Sequence, residues 1–295
     1  MSKMLNADAL EAAERFIWLN ARVIDRLRFA HLFRDGVPTP VVAALRPYQN
    51  PDGGFGNALE PDFRGPVSQP ATVEVALRAL DEAGALDDPM TAQACDYLAG
   101  ITTPDGGVPF VLPSVRAYPR APWWQPEGDQ PPGNLLPTAS IAGLLLARGV
   151  RHPWVERASG FCWQAIDRLG DTNPYQARAT LAFLDGTPER DRAEQAFARV
   201  GPEILEQGLV ALDPAASGEV HSPLDYAPEP GSLARRLFAD EVIETQLDTL
   251  VAAQRDDGGW TFNWPAWTPV VEPEWRGAMT VEMLKRLRSY GRLTA

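Results

Sequence analysis

Cysteine is scarce. The 295 residues hold 2, Cys95 and Cys162, too few for a disulfide framework. Both lie in stretches with helical spacing of apolar residues, "QACDYL" and "GFCWQ", which predicts buried thiols. No apolar run reaches the roughly 20 residues that span a bilayer. The N-terminal "MSKMLNADALEAAERFIWLNARVIDRL" carries acids among its apolar residues in place of a cleavable leader pattern. Together these absences lead to the expectation of a cytoplasmic protein with no integral membrane segment. Positive charge is short as well: 27 Lys and Arg face 39 Asp and Glu, a net charge of −12. That balance argues against nucleic acid as a partner and gives no hint of an anionic membrane. Strand signals are few, since the β-like run "VPFVLPSV" is demoted by its prolines to loop or edge. No Gly/Ser-rich or charged linker divides the chain, so a single domain over 1–295 is expected.

What is present is helical periodicity. Phe16, Ile17, Leu19, Val23, Ile24, Leu27 and Phe29 fall close to one stripe, predicting a helix over 9–32. Further helices are predicted at 39–49, 70–84, 90–100, 137–149, 153–169, 174–186, 188–208, 231–253 and 277–291. Thr39-Pro40, Asp88-Pro89, Thr138, and Asp171 ahead of Pro174 supply start signals. The fold class is all-α.

Three similar strings interrupt the helices: "YQNPDGGFGN", "ITTPDGGVPF" and "AAQRDDGGWTF", with Asp-Gly-Gly beginning at Asp52, Asp105 and Asp257. The first spacing is about 53 residues and the second close to three times that, so two intermediates belong between them. "GDTNPY" from Gly170 and the long Pro-rich loop from Leu209 stand where those are due. Each unit reads as helix, Gly/Pro-rich loop, helix, and hairpins of this kind bury their second apolar face only against neighbours. The prediction is a ring of about five to six helical hairpins, with inner and outer helices. In the repeated element, glycines allow the positive φ that ends a helix, and Gln one turn back can donate to exposed carbonyls. The following Phe55 or Trp260 can pack on the turn. The stretch Tyr118–Pro137 has adjacent tryptophans that a solvated linker would not carry, so the region at about 108–136 is read as a lid-like loop.

Gln49…Gly53-Gly54-Phe55 and Gln254…Gly258-Gly259-Trp260 resemble the QW repeats of the terpenoid cyclase and protein prenyltransferase superfamily. That resemblance implies an α/α toroid and a hydrophobic, isoprenoid-type substrate. It does not extend to the family's triggers. The D-x-D-D string of class II cyclases is missing, the nearest strings being "LDDPM" and "QRDDGGW". Neither cysteine has the Asp-x-Cys spacing of the prenyltransferase zinc site, and D-D-x-x-D is absent. No cofactor and no metal are therefore expected.

Candidate residues cluster in three loops. The first holds Asn57, Glu60, Asp62, Arg64 and Gln69, where one carboxyl in an apolar setting would serve as a general acid. An ordering Asp62–Arg64 salt bridge is the plainer account of the same residues. The second holds His221, Asp225 and Tyr226. The third supplies Trp264, Trp267, Glu274, Trp275 and Arg276, with Trp123 and Trp124 from the lid-like loop. Glu274 and Arg276 either pair across a mouth or close the entry to the last helix. Dry aromatic rings stabilise a cation by about 0.5–2 kcal/mol each. The leading reading is a terpene-cyclase-like protein that binds or cyclises a hydrophobic substrate in an aromatic-lined cavity. Asp62 is its first-choice acid, ahead of Asp225 and Glu60, with His221 a further candidate. Two others stay open: a non-catalytic toroid that binds a small molecule or protein, and a carbohydrate-active α/α barrel.

Overall fold

The computed structural model describes residues 2–294. Among them are twelve α-helices and no β-strand, only isolated bridges. The helices are α1 Ala7–Asn20, α2 Val23–Phe33, α3 Thr39–Leu45, α4 Pro70–Glu82, α5 Pro89–Ile101 and α6 Leu135–Ala147. They continue with α7 Pro153–Asp167, α8 Pro174–Gly186, α9 Arg190–Glu206, α10 Pro223–Tyr226, α11 Asp240–Ala252 and α12 Val271–Ser289. Among the described residues, no helix is long and apolar enough to cross a membrane.

The chain forms two compact units, 37–198 and 1–36 with 199–295. In the first, α4, α6 and α8 pack as one row and α5 with α7 as a second. Helix α6 is apolar along almost its whole length and buried on nearly every side, as the middle of a row should be. It crosses α8 at Gly143 and Gly186, where a Cβ on Gly186 would lie 2.0 Å from the Gly143 carbonyl oxygen. In the second unit α12 lies against α1, α2 and α11.

Three predicted boundaries need correction. The stripe over 9–32 is two helices, because Ala21 is extended (φ −80°, ψ 157°) and lies where α12 passes closely at Gly277. The break turns Asp25 and Arg28 inward: Asp25 is fully buried and takes Arg22 Nε at 2.7 Å and Arg28 Nη1 at 3.1 Å. The stretch 231–253 is a 3₁₀ turn, Leu233–Leu237, followed by α11; Arg235 bonds the Phe238 carbonyl at 2.7 Å across the gap. Helix α12 starts six residues earlier than predicted, with Pro273 in a first turn where its missing N–H costs nothing.

The repeated strings are one turn built three times. Asn50, Thr103 and Arg255 each donate N–H to the carbonyl four residues on, at 2.8, 2.9 and 3.0 Å. Gly53, Gly106 and Gly258 have φ of 86°, 100° and 91°. Each turn docks on the start of another helix. Gln49 Nε2 donates to Gly53 O (3.0 Å) and to Met90 O in α5 (3.3 Å); Gln254 Nε2 donates to Gly258 O (2.9 Å) and to Ala9 O in α1 (2.8 Å). The glutamine thus reaches a different helix, not the carbonyls that end its own. In the middle copy Thr102 makes the crossing, its Oγ1 accepting Trp154 Nε1 of α7 at 3.0 Å.

Candidate active site

The first predicted loop folds back on itself through two consecutive left-handed residues, Asn57 (φ 56°) and Ala58 (φ 62°). That conformation is strained for non-glycine residues, and neighbouring bonds must hold it. Asn57 N–H bonds Gly65 O at 3.0 Å, and its side chain bonds Pro47 O at 3.3 Å. The segment that follows pairs with the tryptophan-bearing loop. Ala121 N–H donates to Asp62 O at 2.8 Å, Arg64 N–H to Pro119 O at 3.0 Å, and Phe63 bridges Arg120.

This pairing brings Asp62 and Trp123 together. The Trp123 indole Nε1–H donates to Asp62 Oδ2 at 3.1 Å. Asp62 is 4% exposed, whereas Trp123 is 42% exposed. Glu60, also buried, accepts the Asp62 amide on Oε2 at 2.8 Å. The next residue along each segment pairs too: Trp124 is buried and stacks on Phe63 (5.4 Å between centroids, 10° between planes), with Tyr118 edge-on to Phe63 and Phe110 tilted against Trp124. Gly65 is obligatory: a Cβ there would meet the Phe63 ring at 2.3 Å. Arg64 is half-buried. Gln69 is fully buried, donating to Ser114 Oγ and accepting Leu112 N–H, both at 2.9 Å, so it ties the segment after α5 to the start of α4. Arg120 pins that loop internally through the Trp124, Val115 and Tyr118 carbonyls.

The other candidates lie in the second unit. Asp225 caps α10, its Oδ2 accepting Ser222 N and Oγ at 2.8 and 2.9 Å, while Oδ1 pairs with Arg286 of α12 at 2.9 Å. Tyr226 is buried and its hydroxyl donates to Leu209 O at 2.8 Å. His221 is buried, with its carbonyl accepting Ala211 N–H. Trp264, Trp275 and Phe262 form a mutual cluster, with centroids 4.7 to 6.4 Å apart. The Trp267 indole nitrogen is buried without a hydrogen-bond partner. Glu274 stands half-buried in the first turn of α12. Arg276 belongs to the third repeat turn: it donates to Asp257 Oδ1 (2.8 Å) and Trp260 O (3.2 Å), and its guanidinium covers the Phe16 ring at 4.4 Å. The Arg276 bond, more than any other factor, holds the Asp257 carboxyl below the usual range.

Both cysteines are buried. Desolvation pushes the Cys95 thiol up to about 12 and Cys162 higher still, which keeps them from the thiolate form a ligand or nucleophile needs. Among the described residues, no group of three or more His, Cys, Asp or Glu is placed to hold a metal ion. Sequence reasoning passed over Asp25 and Phe63. Asp25, one residue past Ile24 and four before Phe29 on an apolar stripe, carried a readable signal.

No protein-family model matches the chain, and no curated protein does. Solved structures do match. A protein from Actinoplanes is similar over 97% of this chain and 99% of its own, at 18% identity and a TM-score of 0.63. An arginine-to-alanine variant of the type II terpene cyclase MstE from Scytonema, in complex with its substrate geranylgeranyl dihydroxybenzoate, is similar over 95% of this chain and 96% of its own, at 16% identity and a TM-score of 0.58. A second variant of MstE, in complex with its product merosterolic acid A, is similar over 94% of this chain and 86% of its own, at 18% identity and a TM-score of 0.54. At these identities the likeness is one of fold: the chain has the all-α fold of a type II terpene cyclase.

Proposed function

We propose that this chain is a terpene-cyclase-like protein that takes up a hydrophobic molecule with a polyprenyl-type tail, on the α/α-toroid scaffold its repeated turns imply. The carboxyl of Asp62 then starts cyclisation by protonating an alkene carbon. The double bond supplies the electron pair, the cation moves to the neighbouring carbon, and successive alkenes close rings until a carbon beside the last cation gives its proton to solvent, from which the Asp62 carboxylate regains one. The formula of the product equals that of the substrate. The reading is carried by Asp62, a carboxyl almost wholly out of water in a loop of stacked rings. Burial disfavours the charged form of a carboxyl, which is the condition for a proton donor. The fold likeness to MstE, whose variants hold a geranylgeranylated substrate and a product, supports the substrate class.

The test is incubation with geranylgeranyl dihydroxybenzoate, linear terpenes and polyprenyl diphosphates, followed by chromatography with mass detection. A product of unchanged mass and shifted retention is expected from the wild type and is lost in Asp62→Asn at an unchanged melting temperature. An Asp62→Asn variant as active as wild type overturns the assignment.

One observation favours capture without chemistry. Both Asp-Asp strings are used structurally: Asp88 caps α5 and pairs with Arg46, and Asp257 holds the repeat turn. Under that reading the same compounds raise the melting temperature and no product forms.

A further inference from the structure

Trp123 stands 61 residues from Asp62 in sequence yet donates its indole N–H to that carboxyl at 3.1 Å. The contact is not isolated. Ala121 N–H bonds the Asp62 carbonyl, Arg64 N–H bonds the Pro119 carbonyl, and Glu60 accepts the Asp62 amide, so the residue is fixed on its backbone and its side chain at once. The segment delivering the indole is itself rigid, through Arg120 and the Trp124 stack on Phe63. A few residues before Asp62 the same loop keeps two non-glycine residues left-handed, at 57 and 58, a strain that surrounding structure must over-determine. A ring packing only for burial would be covered, but Trp123 has 42% of its surface in solvent.

We propose that Trp123 is a positioning residue for Asp62: its indole N–H sets the plane of the carboxyl, and the 118–124 segment thereby governs an acid borne by another loop. This rests on the reading of Asp62 as proton donor. A substrate-wall tryptophan would contribute ring area alone, whereas a positioning tryptophan contributes the N–H. An N–H bond favours the ionised carboxyl, so its removal makes the acid weaker and holds its proton to higher pH.

Trp123→Phe keeps a ring and deletes the donor. With geranylgeranyl dihydroxybenzoate as substrate, kcat should fall by up to about 100-fold from a misplaced acid. KM should hold, and the high-pH limb of the rate should move upward in pH. A rise in KM alone, or an unmoved limb, overturns the proposal. A second measurement needs no turnover. The tryptophan emission of the wild type should show a pH-dependent step that is missing in both Asp62→Asn and Trp123→Phe. If the step is present while no compound is cyclised, the coupling stands and the proton-donor reading falls. If wild type and both variants titrate alike, the coupling falls whatever the activity.

Discussion

At the scale of single residues, the glycines of the repeated turn are the sharpest constraint. Gly258 has φ 91°, and a Cβ there would sit 2.1 Å from the Ala12 carbonyl oxygen on α1. Gly84 is also left-handed (φ 62°) but faces open space. Gly84→Ala should therefore cost about 1 kcal/mol, from the backbone conformation alone. Gly258→Ala adds a backbone clash and should cost about 3 kcal/mol or more, read by denaturant unfolding at unchanged m-value. Equal losses would mean that the turn does not bear closely on α1. The sequence announced these glycines by repetition. It did not announce the partner of Gln254, because a side chain that bonds Ala9 from 245 residues away leaves no local spacing to read.

Among the helices, what periodicity could show was which stretches coil; where they break was hidden. The 9–32 stripe stays apolar through Ala21, and the break there answers to Gly277, far along the chain. Nor does composition separate one helical glycine from another. Gly160 lies on the exposed face of α7 with nothing near its would-be Cβ, while Gly186 of α8 touches the Gly143 carbonyl. The two should respond in opposite directions. Gly160→Ala should add about 0.5–1 kcal/mol by restricting the unfolded chain and favouring helix. Gly186→Ala must push α6 and α8 apart and should lose about 1–3 kcal/mol or more. Thermal melts of the pair, moving one up and one down, check the close crossing directly.

For the whole molecule, the all-α class and the repeated turn could be read from the sequence because each rests on local signals that recur. The candidate site was readable only in part. Asp62 and Trp123 were each picked out, as an acid in a loop and a ring in another, but their bond depends on two loops pairing across α4 and α5. Asp225 and Arg276 looked equally functional as residue types, and only their partners, Arg286 and Asp257, reveal a cap and a clip. The chain ends obey the same non-local logic. Leu5 N–H bonds Arg292 O at 2.8 Å, Thr294 N–H bonds Leu5 O at 3.0 Å, and the buried Arg292 reaches Asp248 and the Lys3 carbonyl. Leu5 and Leu293 form a parallel bridge, which holds the first and last described segments side by side. A Gly/Ser linker of about eight residues, with an end-to-end span near ~15 Å, should join them without strain. New ends belong between Ala216 and Ser217, in the exposed 212–219 loop, where Asp213 supplies only short-range bonds to Ala215 and Ala216. Such a permutant should keep the native circular dichroism and a single cooperative melt, since no buried backbone bond is cut. A permutant that melts in two steps, or binds a dye for exposed apolar surface, would show that the fold needs its ends free and its 212–219 connection intact.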